Sequence, residues 1–168
     1  MSIDYIVSSL PSLAFGAPAP LSWERFEEIA GSAAAVALQH WADLETQLKN
    51  AIAEARGGER FKRPAVGYSL FWKNRVLACF QEKDVAKREE LLDKVWWDAA
   101  DELTEPSSPL GAGALATYAV RLKVALKRAK IAPDAGNAAF DRLTAGTRVA
   151  FGETDEGRTT GNGLTSEN

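Results

Sequence analysis

Three groups of side chains have the types needed for chemistry: a lone histidine with a lone cysteine, a run of carboxylates, and a basic cluster. His40 is the only histidine, Glu45 lies more than a helical turn away, and no second histidine completes a zinc site. It reads as a half-exposed helix residue. Cys79 sits in the apolar stretch Val76 to Phe80 with no partner base to activate a thiolate, so it reads as a small hydrophobe. Glu89, Glu90, Asp93, Asp98, Asp101 and Glu102 contain enough carboxylates for an acid–base pair. With Lys87, Arg88 and Lys94 among them, they read as a solvated helix face. An enzyme built on Asp98 and Asp101 would need a concave pocket holding acids with shifted pKa values.

Gly111-Ala-Gly113-Ala-Leu-Ala116 follows the glycine-rich dinucleotide pattern on paper. That chemistry needs a buried strand just before the turn, and Pro106 and Pro109 exclude one. The glycines read as a helix lead-in. No catalytic residue, cofactor or metal is therefore expected. The basic cluster is more specific: Lys123, Lys127 and Lys130 share one helix face, with Arg121 and Arg128 on a neighbouring one. No aromatic platform accompanies it, so nucleic acid is not the expected partner. A solvated face or a contact for an acidic protein remains.

The elements that must position these groups are helices. From Trp41 to Arg56 the large apolar residues Trp41, Leu44, Leu48 and Ile52 recur in steps of three and four, with Glu45 and Lys49 one turn apart outside. Ser22, followed by Glu24, Glu27 and Glu28, predicts a short helix over about residues 23–30. Gly31 interrupts, Ser32 is the expected cap of the long helix, and Gly57-Gly58 its stop. A helix over 68–80 would bury Leu70, Phe71, Val76, Leu77 and Phe80. The next would bury Leu91, Leu92, Val95, Trp96, Ala99 and Leu103, and Leu115, Tyr118, Leu122, Leu126 and Ala129 mark another. Trp96 and Trp97 are adjacent and cannot point the same way, so one is expected at a contact surface. A last short helix is expected between Asp134 and Gly146. Ile3 to Ser9, rich in β-branched and aromatic residues, reads as extended. The prolines of residues 11–20 predict an irregular stretch pinned by Leu10, Leu13 and Phe15.

The expected fold is thus all-α: a single helical domain over residues 1–150, about five helices with an extended N-terminal segment, then a disordered polar tail over 151–168. A weak echo at a separation of 74 residues relates Trp23, Ala42, Leu48 and Ala55 to Trp97, Ala116, Leu122 and Ala129, which makes a degenerate two-fold repeat one option. The formal charge of −3 gives no general attraction to nucleic acid or anionic lipid. One cysteine, no signal-like N-terminus and no long apolar run predict a cytoplasmic protein without a membrane span.

Several segments together carry a family resemblance. Tyr5 to Leu13 with Phe15-Gly16, Trp41 to Arg56, Arg88 to Trp97, and Tyr118 to Lys123 with Gly136 and Phe140 resemble, in order, an uncharacterised bacterial family encoded in V-type (A/V-type) ATP synthase operons. The resemblance covers about residues 3–145. That family is similar to the C (or d) subunit of rotary ATPases, an all-helical piece that couples the central stalk to the membrane rotor. The resemblance implies a non-catalytic accessory or coupling subunit, cytoplasmic and held at the inner membrane through the ATPase. Its implied partners are central-stalk and membrane rotor subunits. Polar residues within the matching segments are the expected contacts: Glu45, Asn50 and Arg56 on the long helix, and Arg121, Lys123 and Arg128 on the later one. The alternative is a free-standing helical adaptor unrelated to the ATPase.

Overall fold

The computed structural model describes residues 2–131, apart from the side chain of His40. Met1–Ala129 make up one compact unit, and Lys130–Asn168 a second, of which only the end of the last helix is described. The expected helix at 134–146 and the tail lie outside the described residues, as does the exposure of the His40 side chain.

Among the described residues six α-helices follow in order: α1 (Ile3–Ser9), α2 (Trp23–Ala30), α3 (Ser32–Ala55), α4 (Leu70–Cys79), α5 (Val85–Ala99) and α6 (Ala112–Ile131). Single 3-10 turns occupy Glu59–Phe61 and Ala100–Leu103, and no strand occurs among the described residues. The N-terminal segment is helical and not extended. The Ser2 hydroxyl accepts the Tyr5 N–H at 3.4 Å, and Asp4 sits in the first turn near the positive helix end. Ile3, Ile6, Val7 and Leu10 fall in steps of three and four and pack on the core. This packing overrides the β preference of the isolated stretch.

Gly31, at φ +54°, occupies the cap of α3, and Ser32 is its first helical residue, without a side-chain cap bond. The far end is closed by glycine as the sequence predicts. The Gly57 and Gly58 N–H groups donate back to the carbonyls of Glu54 and Ala53, with Gly57 at φ +71°. In α4 the buried stripe is Trp72, Val76 and Cys79, while Leu70 and Phe71 face outward. The helix settles on that register because the Ser69 hydroxyl caps it at the Trp72 N–H and the Trp72 indole donates to Glu102 at 2.6 Å.

The interior has two clusters. One, the tryptophan side, joins Trp41, Leu44 and Leu48 of α3 to Trp72 and Val76 of α4, Leu92 and Val95 of α5, and Val120 of α6. The other, the alanine side, joins Ile6 of α1 and Phe26 and Ala30 of α2 to Ala34 and Ala37 of α3 and Leu115, Ala116, Ala119 and Leu122 of α6. Helices α3 and α6 contribute to both. The sequence echo does not extend to a structural repeat: Leu48 and Leu122 are both fully buried, but Ala42 is exposed where its counterpart Ala116 is buried. Its start differs as well, since Trp23 opens α2 while Trp97 lies inside α5. Gly113 has a packing role in the first turn of α6, where any Cβ would collide with the Leu103 carbonyl oxygen. The glycine-rich stretch is thus a helix start in close contact with the preceding turn.

Candidate functional site

Helices α3, α5 and α6 leave a groove of about 430 Å³ between them. Its walls are apolar: Leu38, Trp41 and Ile52 from α3, Leu92 and Trp96 from α5, Val120 and Val124 from α6. The Trp41 and Trp96 rings lie 5.5 Å apart at 52°, so two indoles form one continuous aromatic wall. Trp97, the neighbour of Trp96, turns the other way and is buried beneath Phe15 and the Arg121 guanidinium. The groove-facing residue of the pair is therefore Trp96, which is half-buried.

Charges ring this apolar floor. Glu45 pairs with Lys49 at 2.9 Å along α3, and Arg56 reaches Glu89 at 3.5 Å from α3 to α5. Lys127 of α6 contacts Asp93 at 2.6 Å and Glu89 at 3.6 Å. Lys123, exposed on the rim, places its ammonium 4.7 Å from the Trp23 ring centroid. Asp93 is 4% exposed and takes a second cation, Arg128, at 3.9 Å. The carboxylates of α5 are thus not merely a solvated face. They form a seam with α6 in which Arg128 also bonds Glu90 at 3.2 Å, and Arg121 extends it to Asp101 of the following 3-10 turn at 2.6 Å.

The six predicted contact residues divide evenly. Glu45, Arg56 and Lys123 come together at the groove rim. Asn50 serves the fold instead: its amide donates to the Arg63 carbonyl at 2.7 Å and accepts the Arg63 N–H at 2.8 Å, clamping the loop after α3. Arg121 donates to the Trp97 carbonyl and to Asp101, and Arg128 holds Glu90 and Asp93 and lies over the Phe15 ring at 4.6 Å. Trp41, Trp96 and Lys127, which complete the groove, were not among the predicted contacts. The adjacency of Trp96 and Trp97 was the signal available for one of them.

Asp98, a candidate acid, is tied to α4. Burial raises its pKa, but hydrogen bonds from Lys94 (2.6 Å) and Arg75 (2.9 Å) outweigh this and hold the carboxyl below its ordinary range. Asp101 is held by Arg121. Cys79 is buried, its thiol hydrogen-bonds the Arg75 carbonyl, and burial raises its pKa, the opposite of what nucleophile activation requires. No group of three or more potential metal ligands occurs among the described residues. No described helix is long and apolar enough to cross a membrane. No protein-family model, curated protein or solved structure matches this chain.

Proposed function

We propose that the chain is a non-catalytic coupling or accessory subunit that grips a partner helix in the α3–α5–α6 groove. The observation that carries this reading is the groove itself: a tryptophan-walled apolar trough with charged side chains around it. An amphipathic helix fits such a trough by laying its apolar stripe on the partly exposed Leu38, Ile52 and Trp96 and setting a carboxylate against Lys123. Buried aromatic anchors supply most of the affinity in interfaces of this kind, and rim charges set orientation. The resemblance of residues 3–145 to the family encoded with V-type ATP synthases nominates the partner as a central-stalk or rotor subunit. A C/d-like role requires a stiff helical body with contact faces, and the interlocked α3 and α6 meet that requirement.

Affinity purification of the tagged chain from its native host in mild detergent tests the proposal. Stoichiometric recovery of stalk and rotor subunits, abolished by Trp96→Ala and weakened about tenfold by Lys123→Glu, is the expected result. Recovery of the chain alone beside an intact ATPase overturns the rotary assignment. Recovery of a different helical partner, lost on the same substitutions, assigns the groove to a free-standing adaptor.

A further inference from the structure

We propose that the segment from Arg60 to Phe71, on the connection between α3 and α4, is a docking surface for an anionic lipid bilayer. Five large apolar side chains stand out in these twelve residues: Phe61, Val66, Tyr68, Leu70 and Phe71 are 66%, 71%, 70%, 57% and 61% exposed. So dense a run of exposed aromatic and aliphatic side chains marks an interaction surface.

Four of the backbone groups behind them are already satisfied. The Asn50 amide exchanges two hydrogen bonds with Arg63, and Gln47 donates to the Val66 carbonyl at 2.9 Å and accepts the Ser69 N–H at 3.0 Å. A loop fixed from within in this way can enter a region poor in water without stranding those peptide groups.

Charge selects the kind of bilayer. The whole chain carries −3, yet residues 59–75 hold five basic residues and one acidic residue. Lys62 and Lys73 are engaged by Glu54, and Arg75 by Asp98. Arg60 and Arg63 make no ion pair among the described residues, and Arg60 rests 4.8 Å from the centroid of the Phe61 ring. An aromatic ring at headgroup depth with a guanidinium beside it, next to aliphatic Val66 and Leu70, matches an interface with acidic headgroups. Single-stranded nucleic acid would use the rings and arginines but has no use for Val66 and Leu70. The surface is separate from the groove, so the chain can hold a partner helix and a membrane at the same time.

The test is co-sedimentation of the full chain with vesicles of phosphatidylcholine alone or mixed with phosphatidylglycerol. Binding confined to the anionic vesicles is expected. It should fall about tenfold for Arg60→Gln with Arg63→Gln and in raised salt, and be lost for Phe61→Ser with Phe71→Ser. Val66→Ser with Leu70→Ser provides a second apolar variant that leaves the Phe71–Trp72 ring contact in place, and circular dichroism checks that each variant is folded. Failure of the parent chain to sediment with anionic vesicles overturns the proposal. So does binding that both apolar variants retain in full. Self-association by light scattering, or binding of a single-stranded oligonucleotide, that is lost on these substitutions while vesicle binding is absent reassigns the surface and also overturns it.

Discussion

The two halves of the interior are built on different principles. On the alanine side, Ala30, Ala34, Ala37, Ala116 and Ala119 surround a few large residues such as Phe26, Leu115 and Leu122. On the tryptophan side, Trp41, Trp72 and Trp96 supply bulk, and ion pairs such as Arg75–Asp98, Lys73–Glu54 and Lys127–Asp93 clamp its helices together. The first arrangement fills space with small units. The second spans space with large rings and charged crosslinks, and it is here that the groove opens. One pair of helices therefore supports both a closed core and an accessible trough, depending on which residues face inward along their length.

Truncation should separate the two sides most sharply. Leu48 is fully buried between α3 and its neighbours, and Leu48→Ala is expected to cost about 3–4 kcal/mol by chemical denaturation. The converse change on the alanine side, Ala119→Leu, should destabilise by overpacking, by about 1–3 kcal/mol. A larger penalty for filling than for emptying would invert the comparison.

The next effect concerns the clamp. Asp93→Asn removes a nearly buried carboxylate from Lys127 and Arg128, with an expected loss of about 2–3 kcal/mol. Because both partners are partly exposed, this figure lies below that for a fully buried pair. A loss below about 0.5 kcal/mol would place the seam among ordinary surface pairs.

Acid should act on the same side. The Asp98 carboxyl is held below its ordinary value of 3.8, and Glu54, bonded by Lys62 and Lys73, is held below its ordinary 4.5. A carboxylate whose pKa is lowered by folding stabilises the fold above its unfolded value, and that contribution is lost as pH falls through the folded value. Stability should therefore decline below about pH 4.5, and Asp98→Asn should make the decline shallower. An unchanged pH profile in that variant would remove Asp98 from the clamp.

The smallest effect belongs to the alanine side. The Tyr118 hydroxyl is buried without a hydrogen-bond partner among the described residues, its ring is stacked 5.8 Å from Phe26, and burial raises its pKa to about 12. Tyr118→Phe should be neutral or stabilising by up to about 1 kcal/mol in a melting experiment. In the parent, the raised pKa favours the neutral phenol in the fold. Stability is therefore full below the ordinary value of 10 and declines as pH rises through about 12.

What the sequence disclosed follows from how local its causes are. Ser22, Gly31 and Gly57-Gly58 act within a turn of where they sit, so the limits of α2 and the end of α3 could be read directly, whereas the cap of α3 is Gly31 and not Ser32. Helix α1 was obscured because Ile3, Tyr5, Ile6 and Val7 prefer strands in isolation, and only packing against a distant core makes them helical. The register of α4 was misread because Leu70 and Phe71 are its most conspicuous apolar residues, whereas its orientation is fixed by Trp72 bonding Glu102, thirty residues away. The same distance hid the α5–α6 seam, whose Asp93–Lys127 and Glu90–Arg128 bonds join residues 34 and 38 apart. Three of the residues nominated as protein contacts from their helix segments, Glu45, Arg56 and Lys123, line the groove. Its aromatic wall needed the tertiary arrangement.

Helix α3 has 24 residues, about 36 Å at the usual rise, and it passes through both halves of the interior. Neither half can melt alone without stripping the other of one of its sides. Native-state hydrogen exchange should accordingly find the central amides of α3, around Trp41 to Leu48, opening only with the whole unit, and with the same denaturant dependence as the middle of α6. On that outcome the Met1–Ala129 unit unfolds as a single cooperative foldon, with α3 as its common axle.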